Sequence, residues 1–119
     1  MSQQFQPGDF LIFQLEAGFA LLRLLAIDEV NGGRTWHVAA YEDFFPDVDR
    51  AEIAAQNPKR LRRGAGHLAL TNRAFESTQV ARIANLPLDE DELIPLLEWR
   101  NDPARSVSDR SVRLLLGFR

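Results

Sequence analysis

Cysteine is absent from this 119-residue chain, and it holds only two histidines, one methionine, one tyrosine and a single lysine. Without thiols there is no disulfide framework, no thiolate zinc site and no cysteine nucleophile, and the composition fits a reducing compartment. Long unbroken hydrophobic runs are missing too. The most apolar stretch, Phe10 to Ile27, is interrupted by Gln14, Glu16 and Arg23, which are too costly at a bilayer centre for a spanning helix. Met1 to Pro7 shows neither the basic nor the apolar region of a secretory signal, so a cytoplasmic protein with no membrane contact is expected. Gly-x-Ser-x-Gly occurs around none of Ser77, Ser106, Ser108 and Ser111, and no phosphate-cradling glycine loop is present.

What remains is the composition of an ordinary globular protein, 45% hydrophobic and 26% charged, in a length suited to one domain, 1–119. The net charge of −3 is spread unevenly: residues 1–45 carry −4, residues 46–82 carry +3 and residues 83–119 carry −2. A basic middle thus lies within an acidic protein. Its cations are almost all arginine, thirteen against one lysine, a bias that a GC-rich genome explains without a functional cause.

Residues 8–45 organise the rest. Three apolar runs are separated by Glu16-Ala17-Gly18 and by Asn31-Gly32-Gly33, turns that supply the positive φ of tight hairpins, so a three-stranded antiparallel meander is expected. In the first run Phe10 and Ile12 alternate with Leu11, Phe13 and Leu15, giving a strand buried on both faces, inside a barrel or under a helix. The second run, Phe19 to Ile27, has the Ala and Leu of a helix former. The bracketing glycines, and the alternation of Leu22, Leu24 and Ala26 with Leu21, Arg23 and Leu25, favour a strand. Trp36 to Tyr41 then pairs with it.

Beyond Pro46 the period changes. Asp49 with Glu52 forms a capping box, with Val48 and Ile53 as its staple, for a short helix from about Arg50 to Gln56, ended by Asn57-Pro58. Lys59 to Gly66 reads as an exposed basic loop. His67 to Thr71 and Gln79 to Ala84 read as strands, with Arg73 to Ser77 a loop or a helical turn between them. Asp89, with Glu92 and the Leu88–Leu93 staple, is the cleanest helix start in the chain; Pro95 should kink or restart that helix, and Leu93, Leu96, Leu97 and Arg100 share a face. Asn101-Asp102-Pro103 ends it, and Val112 to Phe118 reads as a closing strand. The expected fold is α+β: a strongly bent, mainly antiparallel sheet, of which a small SH3-like barrel is the closed form, with two short helices.

Five residues at the end of the third run join carboxylates to large apolar rings. Glu42, Asp43 and Asp47 surround Phe44 and Phe45, a combination that suits a partner-binding surface, although core filling explains the phenylalanines equally well. Trp99 is open to the same two readings. Lys59, Arg60, Arg62 and Arg63 are the alternative contacts, to phosphate, in a small β-domain that binds nucleic acid; a solvated loop is the simpler account. His37 and His67 would bind a metal only with help from Glu42 or Asp43, and no known ligand spacing supports that, so no metal and no cofactor are expected. A third reading, an enzyme using His37 or His67 as general base, has no partner group that the sequence identifies.

Pro7-Gly8-Asp9-Phe10, Leu15, Gly18 and Arg23-Leu24-Leu25, followed by Leu86-Pro87-Leu88 leading into an acidic helix with Pro95, resemble the pattern of the bacterial immunity protein 26 family of polymorphic toxin systems. The likeness covers about a third of the chain in two pieces, and the arginine-rich segment 59–63 departs from it. It implies a non-catalytic protein that binds and neutralises a toxin, with no cofactor. The leading expectation is therefore a protein-binding module, not an enzyme.

Overall fold

The computed structural model describes residues 4–117. Its centre is a five-stranded antiparallel sheet in the order β4-β3-β2-β1-β5, built from β1 (Asp9–Leu15), β2 (Gly18–Val30), β3 (Gly33–Phe45), β4 (Arg63–Thr71) and β5 (Ala81–Asn85). Residues 8–45 form the expected meander, and Phe19 to Ile27 is strand throughout. Tertiary pairing overrides the helix propensity of its Ala and Leu, because both its neighbours are hydrogen-bonded to it along most of its length.

The sheet bends without closing, so the barrel form is not realised. Helices cover both faces instead of more sheet. Among the described residues four are present: α1 (Val48–Ala55), α2 (Asn72–Thr78), α3 (Glu90–Arg100) and the single turn α4 (Val112–Leu115), with a 3-10 turn at Pro58–Arg60. On one face Leu11, Phe13, Leu22, Leu24, Trp36 and Val38 pack against Ala74 and Phe75 of α2 and Val112 of α4. On the other, Phe10, Ile12, Leu21 and Tyr41 meet Ala51 and Ala55 of α1, while Leu25 and Ala39 meet Leu96 of α3. The two-sided burial of β1 follows from this sandwich.

Several local expectations are corrected. The cap of α1 is Asp47, whose Oδ1 accepts from the Arg50 amide, and not Asp49. Starting there turns Val48, Ala51 and Ala55 toward the sheet and leaves Ile53 outside, 67% exposed. Residues 63–66 are strand and not loop. Gly64 and Gly66 allow this because neighbours come close: a Cβ would lie 2.9 Å from Glu42 Cγ at the first and 3.0 Å from Pro95 Cγ at the second. Arg73 to Ser77 lies within α2. Val112 to Leu115 is helical, with Val112 buried and Leu115 and Leu116 partly buried at helical spacing; Phe118, the last residue of the expected strand, lies outside the described residues. In α3 Leu97 is 53% exposed and does not join the buried face. That helix runs on through Pro95, and the Asp91 carbonyl, which the proline cannot hydrogen-bond, accepts instead from Arg63 Nη1 at 3.2 Å. The stretch after α3 lies along the edge of β4, with Thr71 and Ser108 amides donating to Ser108 and Ala69 carbonyls at 2.9 and 2.8 Å.

Arg23 of β2 holds α3 to the sheet. Its side chain is buried, with Nε 2.8 Å from Glu92 Oε2 and Nη2 3.2 Å from Glu92 Oε1. Nη2 also donates to the Pro87 carbonyl at 3.0 Å, Nη1 donates to the Gly8 carbonyl, and the guanidinium lies 4.1 Å from the Phe10 ring centroid. Glu92 in turn closes the expected capping box with Asp89. Gly8 has φ +94 and a Cβ there would lie 2.6 Å from the Leu86 carbonyl oxygen, so only glycine fits. Arg23→Met should cost about 3 to 5 kcal/mol, because it leaves the Glu92 charge buried and unpaired. Adding Glu92→Gln should recover part of that loss in urea denaturation; a loss of under about 1 kcal/mol for the single variant would contradict the ion pair's role.

Candidate functional site

β3 alternates its side chains between the two helical layers, and this places His37 on the α3 side beside Ala39. The β3–β4 register sets His37 opposite Ala69, and His67 is its diagonal neighbour on the same face. The two imidazoles meet: His37 Nδ1 is 2.9 Å from His67 Nε2, and His37 Nε2 is 2.9 Å from Asp28 Oδ2 of β2. Asp28 Oδ1 accepts from Arg100 Nη2 of α3 at 2.8 Å, and the Trp99 ring covers both histidines, at 4.9 and 5.4 Å between centroids. His37 is fully buried and His67 partly so.

This arrangement fixes the protons. With both rings neutral, the Asp28 carboxylate only accepts, so His37 Nε2 carries hydrogen, Nδ1 accepts from His67 Nε2–H, and the remaining basic nitrogen is His67 Nδ1. The ring centroids are 5.1 Å apart with planes 22° from parallel, so the rings lie nearly head to head. Their facing nitrogens point at each other and do not converge on a third atom, which is hydrogen-bond geometry and not a metal bite. Among the described residues no group of three or more His, Asp or Glu could hold a metal ion. Glu42 and Asp43 are not the neighbours of this pair. The partners are Asp28 and Arg100, and the sequence signal that could have found Asp28 is its place on β2 across the hairpin from Thr35, two residues from His37 on β3.

Burial holds the His37 imidazole below its ordinary value, against the pull of Asp28. Burial first, then the His37 and Arg100 charges, pushes His67 down to about 4.

The other candidate residues fall in two places. At the end of β3, Phe44 is 53% exposed, whereas Phe45 is partly buried against the Phe10–Tyr41 cluster, so the two rings divide between the two readings. Glu42 and Asp47 are exposed and Asp43 half-buried, its Oδ1 accepting from the Arg62 amide at 2.9 Å. A cleft of 310 Å³ beside Phe44 is lined by Ala40, Tyr41, Glu42, Gly64 and Leu116, and burial raises the Tyr41 phenol to about 12. In the basic segment Lys59, Arg60 and Arg62 are exposed, but Arg63 belongs to β4 and is engaged by α3. Trp99 follows its core reading in part: it packs partly buried against the Leu25–Ala39–Leu96 cluster, its Nε1 donates to the Ser106 carbonyl at 3.0 Å and its ring covers the histidine pair.

An unfolded His67 takes up its proton near 6.5 and the folded one near 4, so the unfolded chain binds more protons between those values. Folding stability should therefore rise with pH from about 4 to 6.5 and be lost progressively as pH falls through that window. His67→Gln, which can donate one N–H to His37 without titrating, should flatten that slope; urea midpoints measured at several pH values check it.

Of the residues that carry the resemblance noted in the sequence, Gly8, Phe10 and Pro87 touch the Arg23 guanidinium, away from the histidine pair. No helix among the described residues is long and apolar enough to cross a membrane. No protein-family model, curated protein or solved structure matches the chain.

Proposed function

We propose that this chain is a non-catalytic protein-binding module of the immunity type, which captures a basic partner such as a nuclease toxin at the corner where β3 passes into α1. The observation that carries this reading is the exposed Phe44 ring flanked by exposed Glu42 and Asp47. A large ring held at a rigid strand end, rimmed by charge, has the composition of an interface anchor. Ile53 adds a second exposed apolar group on the helix that follows. The excess of acid in residues 1–45 would steer a cationic partner, and the resemblance to the immunity protein 26 family agrees with that partner class. The alternative of general-base catalysis is disfavoured by His67 itself, since a group with a value of about 4 is a weak base at neutral pH.

The test is co-expression with the toxin domain encoded beside the chain's gene, read as restored growth and a co-purifying complex. A metabolic operon with no toxin gene adjacent would count against it. Asp43 and Asp47 are poor probes, because their carboxylates hold the Arg62 and Arg50 amides. Glu42→Lys is the cleaner one, and it should slow association, with less effect at high salt. Phe44→Ala should change stability by about 1 kcal/mol or less while weakening binding by about 2 kcal/mol, roughly thirtyfold. Phe45→Ala should instead destabilise the fold by about 2 kcal/mol or more. Unchanged binding in both Glu42→Lys and Phe44→Ala would show that the surface is misplaced.

A further inference from the structure

Asp28 serves two groups that compete for one negative charge. Its Oδ1 takes the Arg100 guanidinium and its Oδ2 the His37 N–H. While the imidazoles are neutral, that charge is matched by Arg100 alone, and the C-terminal turn of α3 is tied to β2 by the contact. The opposite end of the same helix is held independently, by Arg23 on Glu92. The two attachments differ in burial. Arg23 is enclosed, whereas the Arg100 side chain is 43% exposed and can exchange its carboxylate for water at small cost.

We propose that the Asp28–His37–His67 chain is an acid-operated latch: uptake of one proton at His67 Nδ1 transfers the Asp28 charge to the histidine pair and releases Arg100, freeing the last turn of α3 while its first turn stays anchored. The proton enters without breaking the pair, because His67 keeps its Nε2–H directed at His37 Nδ1 and the new hydrogen sits on the outer nitrogen. What it changes is the charge count. Asp28, Arg100 and a neutral pair sum to zero; with a protonated pair they carry one positive charge in a half-buried site, and losing Arg100 to water restores balance. The groups facing the pair are Asp28 from β2 and Arg100 and Trp99 from α3; Arg105, whose guanidinium lies 5.8 Å from the Trp99 ring centroid, is a second cation that a new positive charge would repel. Burial first, then the His37 and Arg100 charges, holds the His67 equilibrium low, and the Arg100 contribution has the sign this competition requires.

The experiment is amide exchange and indole NMR on the intact chain between pH 7 and pH 3. Protection of residues 97 to 100, expressed against intrinsic rates, should fall on the order of tenfold on acidification, while the amides around Glu92 keep theirs. The Trp99 indole resonance should move with the same midpoint, and the Trp36 indole, bonded to Asn72 on the opposite face, should not. His67→Gln should remove the transition. Arg100→Gln, a partly exposed position that should not threaten folding, should give low protection of the last turn at every pH and raise the histidine midpoint by about one unit, as expected when a cation a few ångströms away is removed. Equal protection of residues 97–100 at both pH values overturns the proposal, and so does a transition that survives in His67→Gln or a midpoint unmoved in Arg100→Gln.

Discussion

The burial of one guanidinium dictates much of this structure. A charged group cannot leave water unless its donors are filled, and Arg23 fills them from three separated parts of the chain: the Gly8 carbonyl, the Pro87 carbonyl and the Glu92 carboxylate. The approach to β1, the turn after β5 and the first turn of α3 are therefore fixed by a common point. Geometry at that point has to be tight, since a glycine is required at position 8 and the carboxylate that neutralises Arg23 also caps its own helix. Such a centre contributes specificity more surely than stability. Apolar residues of similar volume could hold the layers together, but they would not select this position for α3.

The second ionic site, 28–37–67–100, repeats that logic with weaker closure. Both sites join the sheet to α3, one at each end, and both draw on a cation–carboxylate contact supported by an aromatic ring, Phe10 in one case and Trp99 in the other. The difference is access to water. The first pair is enclosed, and the second is open enough for water and a proton to compete. One helix thus has a permanent attachment and a conditional one.

The sequence made the sheet legible wherever a turn residue and an alternating run agreed. Gly18, Gly32 and Gly33 located the hairpins, and Asp89 with Glu92 located α3, because these signals are local. Failures arose where two local readings were equivalent and a distant contact decided. Asp47 and Asp49 both make acceptable caps; the need to turn Ala51 and Ala55 to the sheet chose between them. Gly64 and Gly66 look like loop residues until Glu42 and Pro95 are seen to need their space. At the candidate sites, the Phe44 and Phe45 pair was recognisable but its division between surface and core was not, since that depends on where α1 lies. His37 and His67 were visible as a pair, whereas Asp28 and Arg100 were not, being joined to them only by strand register and by the docking of α3.

The segment that follows α3 has a role that its irregular shape conceals. By pairing Ser108 with β4 it occupies hydrogen-bonding groups on the margin of the sheet, and by delivering Val112 it seals the layer behind Leu70. A margin left open in this way, with Leu68 and Leu70 beside it, would present a template on which a second chain could add its own strand. Residues 101–112 thus cover, through Ser108, part of an edge whose backbone groups would otherwise face water.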